Sequence, residues 1–234
     1  ILRCLVGSEM CIRDRIDTEG IFTLRNVNDT DRVKEYIEEH DVKRALIVGA
    51  GFIGLEMAEN LHEYGIQVSV VEMADQVMTP VDYEIATAVH QHFKSKGVGL
   101  HLQEAVTAFR SVEDGIDVVL KSGLVLQVDM VVLSIGVRPD VKLAREAGLE
   151  IGEMGGIKVN EFLQTSQPDI YAVGDAIEFP NPVSGRPALA FLAGPANKQG
   201  RICADNVVNG NHQKYKGSIS TAIAKVFDLT VGAT

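Results

Sequence analysis

The sequence has 234 residues, of which 46% are hydrophobic and 23% are charged. This length and composition fit one or two globular α/β domains with a buried core. The 22 basic and 32 acidic residues give a net charge of −10, which argues against nucleic acid and anionic membranes as partners because both select basic surfaces. No apolar run approaches the roughly 18 residues of a membrane-spanning helix. We therefore expect a soluble, cytoplasmic protein.

The first segment, residues 1–15, has no helical or strand period and lacks the features of a signal peptide. It resembles a translated adapter tail, and we predict that it is not native. Cys4 and Cys11 lie in it, and the gap between them fits neither a C-x-x-C redox pair nor a zinc site. Cys203 falls in an apolar-periodic helix and is interpreted as a small buried residue. We expect no metal site and no redox cysteine in this chain.

The remaining elements are predicted from hydrophobic period and from capping and turn residues. In chain order they are helix Asp29–Glu39, strand Arg44–Val48, helix Ile53–Tyr64, strand Gln67–Val71, helix Val81–Lys96, and strands Val98–Leu102, Val106–Phe109, Ile116–Leu120, Leu124–Val128 and Met130–Ile135. The period changes from helical to alternating after Ala105. The last four strands are therefore predicted as an antiparallel meander that replaces the usual crossover helix.

A glycine-rich loop, Gly49-Ala-Gly-Phe-Ile-Gly54, joins the first strand of this series to its helix. Gly49 is expected to allow a tight turn, Gly51 to let the backbone approach a pyrophosphate, and Gly54 to let helix and strand pack closely. The pyrophosphate would lie at the helix N-terminus, where free N–H groups and the helix dipole favour an anion. The alternative is a glycine-rich turn in an unrelated α/β protein. The loop predicts binding of a nicotinamide dinucleotide.

An acidic residue, Glu72, ends the next predicted strand, where a carboxylate can bind both hydroxyls of an adenosine ribose. A 2′-phosphate would be repelled by this carboxylate, and Met73 to Thr79 contain no Arg or Lys to receive it. The sequence therefore favours NADH over NADPH.

Four ordered motifs carry a resemblance to a known family. They are Gly49–Glu56, Ser134–Pro139, Thr165–Asp175 and Leu192–Arg201, supported by Gly155–Asn160 and Ala224–Val231. From about Gly20 onward the chain resembles the pyridine-nucleotide disulfide oxidoreductases, in the branch of coenzyme A disulfide reductases, NADH oxidases and NADH peroxidases. The resemblance implies an α/β two-dinucleotide-binding-domain flavoprotein fold, in which a Rossmann-type NAD-binding domain with an antiparallel β-meander is inserted in a partial FAD-binding domain.

The same resemblance implies roles for single residues. Asp175, after Gly174, would accept a hydrogen bond from a ribityl hydroxyl of FAD, or would simply cap the next helix. A helix beginning near Pro195 and Ala196 would point its positive end at the flavin pyrimidine edge. The remaining implied cofactor contacts are Phe52, which would cover the nicotinamide pocket, Ile53 in the loop, Glu56 on the flavin side of its helix or simply solvated there, and Gly136 in the element that closes the NAD domain.

The resemblance also implies domain boundaries. These are 16–40 for a remnant of the FAD-binding domain and linker, 41–137 for the NAD(H)-binding domain, 138–212 for the C-terminal part of the FAD-binding domain, and 213–234 for the start of a truncated dimerisation domain. The first FAD-binding βαβ unit and the single redox cysteine of the family would precede this chain, and a rhodanese-like domain sometimes follows. We expect a fragment that is inactive alone.

For the full-length protein, the resemblance implies a homodimer that uses FAD and NADH. Hydride would pass from NADH through FAD to a small-molecule disulfide such as coenzyme A disulfide, or to oxygen or peroxide. Two alternatives remain open. One is a flavin-dependent ferredoxin or rubredoxin reductase, which needs no cysteine. The other is a non-catalytic NADH-sensing Rossmann module.

Overall fold

A computed structural model describes residues 18–233. The chain forms two compact units. Among the described residues, the first consists of 18–136 together with Ile223–Val231, and the second consists of Val137–Ala222 with 232–233. The predictions for residues 1–15, including Cys4 and Cys11, lie outside the described residues.

The centre of the first unit is a five-stranded parallel sheet in the order β1-β8-β2-β3-β4. The strands are β1 (Ile21–Thr23), β2 (Arg44–Val48), β3 (Gln67–Glu72), β4 (Gly99–Leu102) and β8 (Met130–Leu133). The helices of this unit are α1 (Val27–Glu39), α2 (Phe52–Glu63) and α3 (Tyr83–Ser95). The inner strands are nearly continuous apolar runs, as expected for parallel strands that are covered on both faces.

A three-stranded antiparallel sheet packs on this parallel sheet. It consists of β5 (Val106–Val112), β6 (Gly115–Leu120) and β7 (Val125–Val128), in that order. Its inward side chains share one core cluster with residues of the parallel strands. The predicted four-stranded meander is wrong in its last strand, because β8 pairs in parallel with β1 and β2.

The strand β1 lies at one edge of the parallel sheet, where Phe22 is in register with Val132. Residues 18–40 belong to the segment that the resemblance assigns to a remnant of the FAD-binding domain and a linker, and they lie in the first unit. β1 pairs with β8, and Tyr36 of α1 donates to the Asp129 carbonyl at 3.3 Å. This segment therefore completes the first sheet.

The second unit contains a small sheet and one long helix. Its sheet has the order β11-β10-β9, formed by Pro187–Ala188, Ile177–Pro180 and Ile157–Lys158. A short helix, α4 (Lys142–Glu146), precedes the sheet, and α5 (Ala193–Asn209) follows it. The core of this unit lies between β10 and α5, where Leu163, Phe179 and Ile202 are buried together.

The last two strands, β12 (Ala222–Val226) and β13 (Leu229–Ala233), form a hairpin. The turn residue Phe227 has a φ of +56° and is 6% exposed. Its ring packs edge-on against Phe93 of α3 at 5.7 Å, and its N–H donates to the buried Glu59 of α2 at 2.9 Å. The hairpin therefore docks on two helices of the first unit. Sequence analysis assigned this segment to the start of a dimerisation domain.

Among residues 18–233, no helix has both the length and the apolar character needed to cross a membrane. The same residues contain no group of three or more His, Cys, Asp or Glu side chains placed to hold a metal ion.

Candidate functional site

The glycine-rich loop connects β2 to α2 at the carboxyl end of the parallel strands. Gly49 has a φ of +102°, and its N–H donates to the Val71 carbonyl at 2.8 Å. Gly51 is the N-cap of α2, and its carbonyl accepts from Leu55 at 3.0 Å. The first N–H groups of α2 therefore face the edge of the sheet at which parallel α/β folds bind ligands.

Steric contacts explain why three positions of this loop are glycine. A Cβ on Gly49 would collide with the carbonyl oxygen of Ser134, and a Cβ on Gly54 would collide with the carbonyl oxygen of Gly49. A Cβ on Gly51 would meet nothing within 4 Å. The first and last glycines are therefore required by backbone packing, whereas Gly51 faces open space. This is the arrangement that lets a pyrophosphate approach the backbone closely.

The carboxylate of Glu72 lies against this loop. Its Oε2 accepts from the N–H of Ala50 at 2.7 Å, and its Oε1 accepts from the N–H of Ala74 at 2.9 Å. Glu72 ends β3, which pairs with β2, so the sheet register brings the acid to the loop. The structure thus unites the two predicted halves of a dinucleotide site, the Gly49–Gly54 loop and the ribose acid.

The element after β8 lies beside the same loop. Ser134 donates its N–H to the Val48 carbonyl at 2.8 Å. Gly136 has a φ of +97°, is exposed, and has nothing within 4 Å of where a Cβ would be. This backbone conformation favours glycine, because a residue with a side chain would be strained in it. Gly136 therefore lies just after the end of β8, beside the glycine loop.

The predicted contacts on α2 differ in exposure. Phe52 is half-buried, Ile53 is 40% exposed, and Glu56 is exposed to solvent. One turn further along the helix, Glu59 is 8% exposed and binds the C-terminal hairpin. The exposed carboxylate of Glu56 is therefore free to meet solvent or a ligand, while that of Glu59 has a structural partner.

In the second unit, Gly174 and Asp175 open a single 3₁₀ turn, Gly174–Ala176. Gly174 has a φ of +78°, and its N–H donates to Oε1 of Gln199 at 2.7 Å. Asp175 is exposed. The turn is therefore hydrogen-bonded to α5, and Asp175 is exposed to solvent.

The helix α5 begins two residues before the predicted start, at Ala193, with Leu192 as its N-cap. Pro195 is tolerated in this first turn because the first N–H groups of a helix have no intrahelical partner. A Cβ on Gly174 would lie 3.7 Å from the Cβ of Ala196. The structure therefore brings Gly174 and Asp175 next to the helix start that contains Pro195 and Ala196.

Sequence reasoning missed two buried polar side chains near these elements. Gln199 is 1% exposed and contacts the 3₁₀ turn as described. It shares one helical face with Ile202 and Asn206, and a polar residue at this apolar spacing was the available signal. His90 on α3 is 8% exposed, and no local pattern marks it as buried.

His90 holds the segment that follows β3. Its Nε2 accepts from the N–H of Val77 at 3.1 Å, and the next residue, Met78, donates to the Ala50 carbonyl of the glycine loop at 2.9 Å. Burial lowers the pKa of His90 below its usual 6.5, and the charge of Lys94 adds to this effect while Asp75 opposes it. Neutral His90 therefore holds the segment of Val77 and Met78, which in turn contacts the glycine loop at Ala50.

Cys203, which lies within the described residues, was interpreted from the sequence as a small buried residue. Cys203 on α5 is partly buried and packs against the core of the second unit. Burial raises the pKa of its thiol, which favours the protonated, unreactive form.

Comparisons with known proteins agree with this architecture. Residues 9–196 match the pyridine nucleotide-disulphide oxidoreductase family, and this match begins within the segment that we predicted to be non-native. The NADH oxidase of Methanocaldococcus jannaschii is 37% identical over 219 residues, which cover 93% of this chain and 48% of that protein. The coenzyme A disulfide reductase of Staphylococcus haemolyticus is 32% identical over 217 residues, with coverage of 93% and 48%.

Solved structures lead to the same family. The crystal structure of reduced CoADR-RHD from Bacillus anthracis is 51% identical, superimposes with a TM-score of 0.88, and is covered over 38% of its length by 92% of this chain. The chain spans about half the length of the curated relatives it matches. On these matches and this fold, the chain belongs to the pyridine nucleotide-disulphide oxidoreductase family.

Proposed function

We propose that the full-length protein is an FAD-dependent NADH oxidoreductase. It takes a hydride from NADH and delivers the two electrons through FAD to a disulfide, which becomes two thiols, or to oxygen. The observation that carries this proposal is the Glu72 carboxylate at the backbone of the Gly49–Gly54 loop, because this pairing is what an adenosine ribose and its pyrophosphate require.

On the NADH side, each element has a separate task. The N–H groups of the first turn of α2 bind the pyrophosphate, since a helix N-terminus favours an anion. Glu72 accepts hydrogen bonds from the ribose hydroxyls and repels a 2′-phosphate, so NADH is preferred to NADPH. Phe52, at the start of α2, covers the nicotinamide pocket by its shape.

On the flavin side, residues 138–212 supply the C-terminal part of the FAD-binding domain. The exposed Asp175 carboxylate would accept from a ribityl hydroxyl of FAD, and the first turn of α5, with Pro195 and Ala196, would hold the pyrimidine edge. FAD would supply the redox chemistry, because it can accept a hydride and return electrons singly or in pairs. The positive end of the helix dipole would favour negative charge at that edge.

The electron acceptor is a small molecule. The names of two relatives, a coenzyme A disulfide reductase and an NADH oxidase, support a disulfide or oxygen in this role. We infer that the full-length protein is a homodimer and acts in the cytoplasm.

The test is anaerobic reduction of the purified full-length protein. We expect a yellow protein whose visible flavin band bleaches with NADH and returns when coenzyme A disulfide or oxygen is added. NADPH should bleach it more slowly at equal concentration. A Glu72→Ala variant serves as the matched control, because it should retain FAD while losing its preference for NADH.

Two outcomes would overturn the proposal. A colourless protein that takes up no added FAD would leave only a nicotinamide-binding domain. A yellow protein that NADH fails to bleach would show that NADH is not the hydride donor. Recovery of the band with only one of the two molecules would identify that molecule, the disulfide or oxygen, as the electron acceptor.

A further inference from the structure

One buried side chain of the second unit has no role in the proposed reaction so far. Gln199 is 1% exposed and lies on the inner face of α5. Its Oε1 accepts from the N–H of Gly174 at 2.7 Å, which is the residue immediately before Asp175. The amide therefore joins the 3₁₀ turn to the helix across 25 residues of sequence.

The geometry makes this hydrogen bond a constraint on the turn. Gly174 has a φ of +78°, a conformation that glycine adopts freely, and its N–H donates to the amide oxygen of the buried Gln199. A buried N–H without an acceptor is costly, so the turn is held where Gln199 can receive it. The same Gln199 lies about one turn beyond Pro195 and Ala196 on α5.

We propose that Gln199 is a positioning residue for FAD. It sets the separation between the Asp175 carboxylate and the first turn of α5, the two elements that the proposed function places against the ribityl chain and the pyrimidine edge. The inference rests on that proposed function. Gln199 acts through the Gly174 N–H and does not touch the cofactor.

The helix offers a matched control in Asn206. It is also 1% exposed and lies seven residues further along the same face of α5. Its side chain donates to the carbonyls of Phe162 and Gln213 and accepts from the N–H groups of His212 and Gln213. Asn206 thus anchors a different segment with equal burial, so its loss tests general stability of the helix.

The experiment compares Gln199→Met, Gln199→Glu and Asn206→Leu in the full-length protein that contains this chain. Met keeps the buried volume and removes the acceptor, whereas Glu keeps an acceptor for Gly174. The readouts are the FAD dissociation constant of each apoprotein, the wavelength of the bound flavin band, hydrogen exchange at the Gly174 amide, and the melting temperature.

We expect Gln199→Met to weaken FAD binding about tenfold, as follows from the loss of one buried hydrogen bond of typical strength. It should also shift the flavin band and speed exchange at Gly174. Gln199→Glu should restore protection of that amide and most of the affinity. Asn206→Leu should lower the melting temperature and leave the affinity and the band unchanged at a temperature where it is folded.

Equal loss of FAD affinity in Gln199→Met and Asn206→Leu would overturn the positioning role and leave Gln199 as ordinary packing. Unchanged affinity and band in Gln199→Met, with the unsubstituted protein binding FAD, would do the same. If the unsubstituted protein itself takes up no FAD, the proposed function fails and this inference fails with it. The two failures are therefore distinguished by the unsubstituted protein.

Discussion

Glu72 binds the backbone of two segments beside the glycine loop. One oxygen accepts from Ala50 in the glycine loop, and the other accepts from Ala74 beyond the strand. A ribose that binds here shares the carboxylate with these N–H groups. An ionised carboxylate has about four lone pairs that can accept hydrogen bonds. The acid can therefore hold the loop and receive hydroxyl groups together.

The prediction for Glu72→Ala is a smaller preference for NADH. NADH affinity should fall about tenfold, because a hydrogen bond to a charged group is lost. NADPH should lose less, because repulsion of its 2′-phosphate is also removed. Isothermal titration with both nucleotides measures the change, and Glu63→Ala, at the exposed end of α2, is the control. Equal NADH and NADPH affinity in the unsubstituted protein would refute the role of Glu72.

His90 predicts a pH dependence of stability. Burial lowers its folded-state pKa below the usual 6.5, so the unfolded chain binds the proton more readily. Stability is therefore highest above pH 6.5 and falls as the pH decreases toward the folded-state pKa. His90→Gln keeps an acceptor for the Val77 N–H and removes the titration, so its acid-side loss should be smaller. Thermal unfolding at several pH values measures both.

If His90→Gln and the unsubstituted protein lose stability in parallel below pH 6.5, then another group causes the acid sensitivity.

At the scale of elements, the C-terminal hairpin is held by a few concentrated contacts. Phe227 contacts the rings of His62, His92 and Phe93, with centroids 5.3 to 5.9 Å apart. The neighbouring Asp228 lies 2.8 Å from His92 Nε2 and 2.9 Å from the ammonium of Lys96. The Asp228 side chain is 74% exposed, so these two contacts contribute little and the ring carries most of the docking energy.

Phe227→Ala should therefore lower the free energy of unfolding by about 3 to 5 kcal/mol, the usual cost of removing a buried phenylalanine ring. Ile223→Ala on β12 is the control, because Ile223 is 73% exposed and its loss should cost little. Chemical denaturation measures both changes. Similar destabilisation by the two variants would show that the hairpin is not anchored through Phe227.

The elements that sequence predicted best have clear boundaries. Strand β2 was predicted at Arg44–Val48 as observed, because a run of four apolar residues follows Arg44 and ends at a glycine. The error at β8 arose because Met130–Leu133, four consecutive buried residues, was assigned to an alternating ribbon. An uninterrupted apolar run is typical of a parallel strand, and this distinction was present in the sequence.

The candidate site was predictable where it depends on local sequence. The Gly49–Gly54 loop and Glu72 follow from the order strand, turn, helix, strand, and the sheet register then brings them together. The spacing of Gln199 gave a signal of its burial, but its partner Gly174 was not predictable, nor was the contact of His90 with Val77, because packing between separate segments determines both. Whether a polar residue on a helix is buried depends on what the fold places opposite it.

At the scale of the whole molecule, the two compact units predict a localised response to nucleotide. NADH at about one hundred times its dissociation constant should stabilise the unit that binds it by about 2.7 kcal/mol. Hydrogen exchange should slow in β2, α2 and β3, and remain unchanged in β10 and α5. Mass spectrometry of peptides from the chain measures this difference. Equal slowing in both units would contradict a site confined to the first.

The docked hairpin has a consequence for synthesis of the protein on the ribosome. Residues 223–231 complete the first unit, yet the ribosome makes them after all of Val137–Ala222. Helices α2 and α3 therefore emerge long before the ring of Phe227 that covers them. At roughly 5 to 20 residues per second, their apolar surface stays uncovered for several seconds or more while the second unit is translated. During that interval these helices are the part of the nascent chain most in need of a chaperone.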